Sequence, residues 1–227
     1  MSSNTSSSSA TRRRGVGTLP ATDDDAAAGE ASTGGDSRKP RADAVRNREL
    51  LLAAARDAFV SADDDRTVSL EGIARTAGVG IGTLYRHFPS REALVEALYR
   101  SELDEVIAAA DHLPEDRSAL QSLRSWMDHY TRFVTTKHGM SNALRAASAS
   151  GAIPMGETRA RVIAVVARFL ASGVTDASIR ADVTPDDVTD LLVGLFLASG
   201  ETKDAVRTAR LLDLLVDGLR PPQRAGG

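Results

Sequence analysis

The first regular pattern in the chain is a helical repeat of apolar residues that begins after Arg41. Its members recur at spacings of four, seven and eight and so share one face of an amphipathic helix: Leu51, Ala55, Ala58 and Phe59. The charged stretch Asp63–Arg66 interrupts this repeat and predicts a loop. Ser69 has the side chain of a helix N-cap, and the second helix that it opens has an apolar stripe of Leu70, Ile73, Ala74 and Ala77.

Two further helices are predicted from the residues that separate them. Gly78 suits the left-handed conformation of a turn, Pro89 ends the short third helix, and Ser90 caps a longer fourth one. Each helix has an inward pair of apolar residues four positions apart, which are Leu84 and Phe88 in the third and Leu94 and Leu98 in the fourth.

The rest of the chain after Pro114 is again helical in pattern. No segment shows sustained alternation with a period of two, so no sheet is predicted. The fold class is therefore all-α, with an N-terminal three-helix domain at residues 41–90 and a larger helical domain at 91–220. Joints rich in Gly, Pro, Asp or Thr separate five predicted helices near 116–137, 140–149, 157–172, 186–199 and 203–219.

The two ends of the chain differ from this pattern. Residues 1–40 contain almost no large apolar side chain and cannot offset their ordering entropy, so we predict a disordered tail there and a short flexible tail at 221–227. The basic cluster Arg12–Arg14 has two interpretations, a solvated segment or an arm that adds weak phosphate contacts.

Composition narrows the class of protein. Hydrophobic residues make up 42% and charged residues 26% of the chain, as in soluble globular proteins. No apolar run approaches the roughly 18 residues of a membrane span, and the N-terminus lacks a secretory signal. We therefore expect a cytoplasmic protein with no membrane partner. Cysteine is absent, and no spacing of His, Asp and Glu indicates a metal. No cofactor and no enzymatic activity are predicted.

Charge is distributed unevenly along the chain. The formal net charge of −3 and the pI of about 5.8 exclude a surface coated in basic groups for nonspecific nucleic-acid binding. A local basic patch is compatible with these values, because phosphate attraction is short-ranged at cellular salt. The stretch Gly72–Arg91 contains no Asp or Glu and holds Arg75, Arg86, His87 and Arg91.

The same stretch has the spacing of a helix-turn-helix. In Leu70–Phe88 an apolar helix is followed by a glycine turn and then by a helix with few inward residues. Arg can pair with guanine through two hydrogen bonds, and Thr or Tyr hydroxyls can bind phosphate oxygens. The residues on or near the outward side are Ile81, Gly82, Thr83, Tyr85, Arg86 and His87.

This segment resembles the DNA-binding domain of TetR-family regulators. The resemblance rests on the Ala-Gly-Val turn at Ala77–Val79, the motif Thr-Leu-Tyr-x-His-Phe at Thr83–Phe88, and a basic residue, Arg91, three positions beyond. It implies an all-α dimer with a recognition helix at 80–87 and a C-terminal domain that binds an effector and dimerises.

The family's DNA contacts can be carried over residue by residue. The resemblance implies a phosphate contact for Ser69, base reading for Arg86, and a phosphate clamp for Arg91. Helix capping alone is the alternative for Ser69, and an ordinary surface position is the alternative for Tyr85 and His87. The implied DNA-binding residues are Ser69, Gly80, Ile81, Gly82, Thr83, Tyr85, Arg86, His87 and Arg91.

The chain departs from the family pattern at two places. The loop after the first helix has Asp63–Asp65 where the family usually has a glycine, and we expect these acids to face away from DNA. Gly80 and Gly82 lie at the start of the recognition helix, and each costs on the order of 1 kcal/mol of helix stability relative to alanine. We therefore expect this helix to be loose until DNA orders it.

An aromatic face in the C-terminal half is the candidate effector site. Trp126, Tyr130 and Phe133 recur at i, i+4 and i+7 in a chain with only 4% aromatic residues. They could line an apolar cavity with polar tips, or they could be plain core. The candidate lining is Trp126, Tyr130, Phe133, Met140, Leu144, Val162, Val166 and Phe169.

The last two helices are candidates for self-association. The final helix is apolar nearly all round and so needs partners on two sides, which a second copy of the same helix pair would supply. The predicted interface residues are Leu191, Leu192, Leu195, Leu211, Leu212, Leu215 and Leu219.

Together these inferences favour a DNA-binding repressor. We expect a homodimer that binds a palindromic operator in double-stranded DNA and is released by a small apolar or amphipathic effector. A shift of the fourth helix would transmit the effector's binding, and a coupling of roughly 1–3 kcal/mol suffices. A regulator without an effector and an activator are the alternatives within this class. An interaction module with a vestigial helix-turn-helix is less favoured, because the outward helix is free of acids.

Overall fold

In the part of the chain that the structure describes, the regular structure is helical throughout. The computed structural model describes residues 38–114, 116–149, 155–199 and 204–222, and these ranges contain nine α-helices and no strand. The helices are α1 (Arg38–Ser61), α2 (Leu70–Thr76), α3 (Ile81–His87), α4 (Arg91–Ala109), α5 (Ala119–Gly139), α6 (Ser141–Ala149), α7 (Met155–Thr175), α8 (Pro185–Ser199) and α9 (Ala205–Gly218).

The all-α prediction is confirmed, and the helix ends differ from the predicted ones by at most three residues. The start of α5 moves from 116 to Ala119 because Ser118 and Gln121 form a reciprocal capping box there. Of the two predicted tails, residues 1–37 and 223–227 lie outside the described part of the chain. The predicted disorder is wrong for residues 38–40, which belong to the first turn of α1. The boundary between domains at residue 90 stays a prediction.

The first three helices form a small unit around one core. The Ser69 Oγ accepts a hydrogen bond from the Gly72 backbone N–H at 3.0 Å and so caps α2 as predicted. Gly78 has φ +69°, the left-handed conformation that the turn between α2 and α3 requires. Leu84 and Phe88 are buried, as their spacing predicts. A single 3₁₀ turn, Asp65–Thr67, connects α1 to α2.

The remaining helices pack around α4 and α5. Helix α4 leads out of the three-helix unit and packs against α1, α5, α6 and α7. Helix α5 also packs against α7 and α9, and α8 packs between α7 and α9. One apolar core therefore runs from Leu51 in α1 to Leu219 after α9. In the described ranges no helix has the length and apolar character needed to cross a bilayer.

The junction between α1 and α5 is unusually close. A Cβ atom on Gly139, the last residue of α5, would overlap the backbone carbonyl of Phe59 in α1. Only glycine permits this approach without a shift of one helix. The close contact holds the C-terminal end of α1 against the C-terminal end of α5.

Gly82 in α3 and Gly78 in the turn before it test the stability of α3. We expect Gly82→Ala to slow amide exchange in α3 about fivefold, because alanine gains about 1 kcal/mol over glycine inside a helix and nothing lies within 4 Å of the added Cβ. Hydrogen exchange on the DNA-free protein measures this effect.

Gly78→Ala is the matched control for this substitution. Its Cβ also meets nothing within 4 Å, but the backbone φ of +69° disfavours any side chain. We expect faster exchange in α2 and α3 for Gly78→Ala. A change of the same sign in both variants would contradict this account of α3.

Candidate nucleic-acid interface

Helix α3 presents one of its faces outward. Ile81, Gly82, Tyr85 and Arg86 are exposed, and their spacing places them on one side of the helix. The opposite side carries Leu84 into the core of the three-helix unit. The exposed face thus combines an aromatic ring with a hydroxyl, a guanidinium group and an open glycine.

The other predicted contact residues flank this face. Thr83 and His87 are half-buried, whereas Ser69 and Gly80 are exposed. Gly80 occupies the N-cap position of α3 and has no side chain to cap it, so its carbonyl alone closes the first turn with the N–H groups of Thr83 and Leu84. The sequence-predicted residues at 80–87 therefore lie together at the tip of the unit.

The acidic loop before α2 lies against the C-terminal helices. The carboxylate of Asp65 is buried against the start of α6, whereas Asp63 is exposed and Asp64 half-buried. That all three acids face away from DNA stays a prediction. Asp64 pairs with Arg66 within the loop, and hydrogen bonds from Arg66 hold the pKa of Asp64 below its ordinary value. No acidic residue lies in α3.

Arg91 is the first residue of α4, the position implied by the family pattern, and its side chain contacts the protein's own backbone. Its guanidinium donates to the backbone carbonyl of Val68 at 2.5 Å and to that of Asp65, and it lies 5.3 Å from the centre of the Phe59 ring. These contacts turn the side chain toward the loop before α2. These two bonds use two of the five N–H donors of the guanidinium, so the predicted phosphate contact at Arg91 stays a prediction.

A short helix with an outward acid-free face, held by a glycine turn on two inner helices, defines a helix-turn-helix DNA-binding protein. The family model described as bacterial regulatory proteins, tetR family, matches residues 51–98. The model for the C-terminal domain of SbtR-like transcriptional regulators matches residues 118–221.

Solved structures agree with these two matches. The TetR transcriptional regulator SCO0520 from Streptomyces coelicolor is 38% identical, with a TM-score of 0.69 over 77% of this chain and 98% of that one. The TetR regulatory protein from Mycobacterium vanbaalenii is 30% identical, with a TM-score of 0.63 over 80% and 99% of the two chains. The chain therefore belongs to the TetR family, and it is a DNA-binding transcriptional regulator and not an enzyme.

Curated relatives are more distant or match over less of the chain. The transcriptional repressor KstR of Rhodococcus jostii is 25% identical over 205 residues, which are 85% of this chain and 93% of that protein. An HTH-type transcriptional regulator of Staphylococcus aureus is 37% identical over 82 residues, 36% of this chain. That match spans 43% of the staphylococcal protein, less than half of its length.

The predicted effector residues come together in the core of the C-terminal helices. All eight are buried. The Tyr130 ring lies at the centre of the aromatic members, with ring centroids 5.5 Å from Trp126, 5.8 Å from Phe133 and 5.6 Å from Phe196. Phe169 completes the group at 6.0 Å from Trp126. The rings therefore pack on one another.

The two predicted polar tips of this cluster differ in their partners. The Trp126 Nε1–H donates to the Val106 carbonyl at 3.0 Å, so its hydrogen bond is made within the protein. Tyr130 is 7% exposed, and its hydroxyl makes no hydrogen bond to any residue of the described ranges. Burial raises the pKa of Tyr130 to about 12. Tyr130 is thus the polar tip that a ligand could still satisfy.

Sequence reasoning missed Tyr99, which joins the aromatic cluster from α4. Its ring centroid lies 5.5 Å from that of Phe133, and its hydroxyl donates to Thr158 at 3.0 Å. An open cavity of about 220 Å³ lies beside it, lined by Leu103, Asp104, Glu157 and Arg161 among others. Its position directly after Leu98 in the apolar stripe of α4 was the available signal.

The predicted self-association residues do not share one surface. Leu192, Leu212 and Leu219 are buried within the chain and have no surface for a partner, so that part of the prediction is revised. Leu191 is exposed, and Leu195, Leu211 and Leu215 are half-buried. The large apolar side chains exposed on these helices are Leu191, Leu197, Val206 and Leu214, each between 59% and 76% exposed.

A buried acid links α1 to α4 and α5. Glu102 in α4 pairs with Arg56 of α1 and accepts a hydrogen bond from the Thr136 hydroxyl of α5 at 3.1 Å. Burial raises the pKa of Glu102, while the hydrogen bond and charge of Arg56 oppose that rise. Removing one partner of such a pair leaves a buried charge uncompensated, so the pair fixes the two parts of the molecule against each other.

Two tyrosine substitutions test whether the Tyr130 hydroxyl lacks a partner. We expect Tyr130→Phe to leave the free energy of unfolding within about 0.5 kcal/mol of the wild type or to raise it, because the lost hydroxyl is buried without a hydrogen bond. Tyr99→Phe is the matched control and should lose about 1 kcal/mol with its bond to Thr158. Urea unfolding at one protein concentration measures both, and an equal loss in the two variants would show that Tyr130 is satisfied.

Proposed function

We propose that this chain is a homodimeric, sequence-specific repressor that binds a palindromic operator through α3 and is released by a small apolar or amphipathic effector. The observation that carries the proposal is the outward, acid-free face of α3, with Tyr85 and Arg86 exposed.

The face of α3 has the groups that a major groove requires. The Arg86 guanidinium can make a bidentate pair with a guanine edge, and the Tyr85 hydroxyl can bind a phosphate or a base edge. Gly82 lets the helix backbone approach the groove closely, because nothing lies where its side chain would be. Ser69, Thr83 and His87 flank this face and are suited to phosphate contacts that position the helix.

The exposed apolar face of α8 and α9 supports a dimer. Leu191 and Leu197 of α8 and Val206 and Leu214 of α9 stand in solvent in the single chain. A soluble protein rarely exposes several large apolar side chains on adjacent helices unless they meet a partner. A second copy related by a two-fold axis would cover them with the same helix pair and produce a four-helix interface.

Two-fold symmetry has a consequence for the DNA. Two identical recognition helices related by that axis would contact two identical half-sites in opposite orientation, which makes the operator a palindrome. The separation of the half-sites would be about one helical turn or somewhat more, because both α3 helices must enter the major groove from one side.

The aromatic cluster around Tyr130 is the proposed effector site. A buried hydroxyl without a partner costs free energy of the order of 1–3 kcal/mol, and a ligand that bonds to it recovers that cost. The rings are in contact with one another, so an effector must part them and displace the helices that carry them. The cavity beside Tyr99 and Thr158 offers an entrance on this side of the core.

Repression is favoured over activation by one relative. KstR of Rhodococcus jostii, which aligns with most of this chain, is described as a repressor. A dimer bound to an operator blocks other proteins from that DNA and needs no additional surface for contacting them. An activator, or a regulator that responds to no effector, remains the second candidate within the same class.

Selection of bound sequences from a random duplex pool tests the DNA-binding proposal. At a stated salt concentration we expect the purified protein to enrich a palindrome. Arg86→Ala should then weaken binding to it by about 1–3 kcal/mol and relax the base preference at one position in each half-site.

Arg168→Ala is the control for the loss of a positive charge. Arg168 is exposed on α7, pairs with Asp111, and lies in the C-terminal helices. We expect its substitution to leave operator affinity and the salt slope unchanged. Failure to enrich any sequence, or equal losses for Arg86→Ala and Arg168→Ala, would refute base reading by α3.

The dimer has its own test. We expect Leu197→Glu with Leu214→Glu to convert the protein to a monomer in sedimentation equilibrium, because two charges per copy would be buried at the interface. Val45→Glu places the same charge on another exposed apolar position, in α1, and should leave the dimer intact. A wild-type monomer at micromolar concentration, or a dimer that survives the double substitution, would contradict the proposed interface.

A further inference from the structure

The start of α6 is capped by Asp65, which lies between α1 and α2. Helices α1–α3, the three-helix unit described above, are called the DNA-binding unit from here on. Met140 precedes α6, and its thioether is not a capping acceptor. The carboxylate of Asp65, more than seventy positions earlier, takes that role. Its Oδ2 accepts hydrogen bonds from the backbone N–H groups of Asn142 at 2.8 Å and Ala143 at 3.0 Å, and its Oδ1 accepts from the Asn142 side-chain amide at 3.0 Å.

The backbone of the same residue is tied to α4. The Asp65 carbonyl accepts hydrogen bonds from the Arg91 guanidinium and from the Val68 N–H, and Arg91 is the first residue of α4. Val68 in turn directly precedes Ser69, the N-cap of α2. One buried residue, 4% exposed, therefore connects the starts of α2, α4 and α6.

The other end of this connection lies in the aromatic core. Leu144 and Ala147 of α6 are buried in the same core as the residues proposed to hold the effector. A ligand that parts those side chains moves α6, and a helix N-terminus that moves loses the short hydrogen bonds to a fixed carboxylate. The displacement then acts on the turn Asp65–Thr67, which directly precedes α2.

We propose that Asp65 is the positioning residue that couples α6 to the DNA-binding unit. Its carboxylate follows the N-terminus of α6 through two backbone hydrogen bonds. Its backbone sets the position of α2 and of the first turn of α4. The regulatory meaning of this coupling rests on the proposed function, in which DNA and effector bind at the two ends of the connection. The coupling itself is a property of the DNA-free protein.

A second aspartate in the chain provides a matched control. Asp176, in the loop after α7, accepts a hydrogen bond at 2.7 Å from the N–H of Ala119, the first residue of α5, and so supplements the Ser118 cap of that distant helix. Both partners of that bond belong to the C-terminal part of the chain. Removing Asp176 costs a hydrogen bond at a helix N-terminus without touching the DNA-binding unit.

Hydrogen exchange on the full chain without DNA tests the coupling. Leu144→Ala perturbs α6, and we expect it to speed amide exchange in α2 and α3 at least about fivefold when Asp65 is present. In the Asp65→Ala background the same substitution should change exchange there by less than twofold. In the Asp176→Ala background it should retain the full effect.

Two outcomes of the exchange experiment would overturn the proposed coupling. If Leu144→Ala leaves exchange in α2 and α3 unchanged in the wild type, or changes it equally with and without Asp65, Asp65 does not couple the two parts. Where Leu144→Ala does not fold, Ala147→Gly weakens α6 without a large cavity, and Asp65→Asn replaces Asp65→Ala because it keeps one acceptor oxygen.

Operator affinity separates this inference from the proposed function. We expect Asp65→Ala to weaken binding to the selected palindrome about tenfold and Asp176→Ala to leave it unchanged. A protein that binds no DNA sequence refutes the proposed function, and the exchange experiment still decides the coupling. Equal affinities of the two variants for the operator overturn the claim that Asp65 positions the DNA-binding unit.

Discussion

The first backbone amides of α6 have no partner within their own helix, and the carboxylate of Asp65 satisfies them from a loop of the DNA-binding unit. A carboxylate at a helix N-terminus also meets the positive end of the helix dipole, which makes this contact stronger than a neutral cap. Because the backbone carbonyl of the same residue accepts a hydrogen bond from Arg91, the turn before α2 is tied to the start of α4. The position of the recognition helix relative to the C-terminal helices follows from that turn.

Two further contacts hold the DNA-binding unit against the C-terminal helices. The close approach of Gly139 to the Phe59 carbonyl fixes the distance between α1 and α5, and the buried Glu102 holds Arg56 of α1 beside Thr136 of α5. A displacement of α5 would therefore act directly on α1. In the proposed dimer, small displacements of packed helices can change the separation of the two α3 helices.

The C-terminal core and helix α3, which lie at the two ends of the connection through Asp65, differ in how well they are packed and capped. The C-terminal core packs aromatic rings on one another, whereas α3 is seven residues long, has no side-chain cap and carries a glycine in its first turn. Its position depends on Leu84 and Phe88 in the core and on Arg48, which lies 5.6 Å from the centre of the Phe88 ring. A binding helix of low intrinsic stability on a rigid support is well suited to adapt to a groove while keeping its orientation.

The sequence alone was sufficient for the all-α fold, for the helix ends to within three residues, and for the position of the helix-turn-helix. These depend on local signals: the apolar period of 3.6 residues, the caps at Ser69 and Ser90, and the left-handed glycine at Gly78. The burial of all eight predicted effector residues also follows from their spacing on helices. Such signals act over a few residues and therefore can be read along the chain.

Tertiary structure decided which side each long side chain takes and which face of a buried helix remains free. Arg91 turns to the carbonyls of Asp65 and Val68, and Asp65 reaches α6, because chain segments far apart in sequence meet there. The apolar residues of α8 and α9 surround both helices, so periodicity could not say that Leu192 and Leu212 face inward while Leu197 and Leu214 face solvent. That choice depends on where α5 and α7 lie, and their positions are set by packing between helices that no local pattern records.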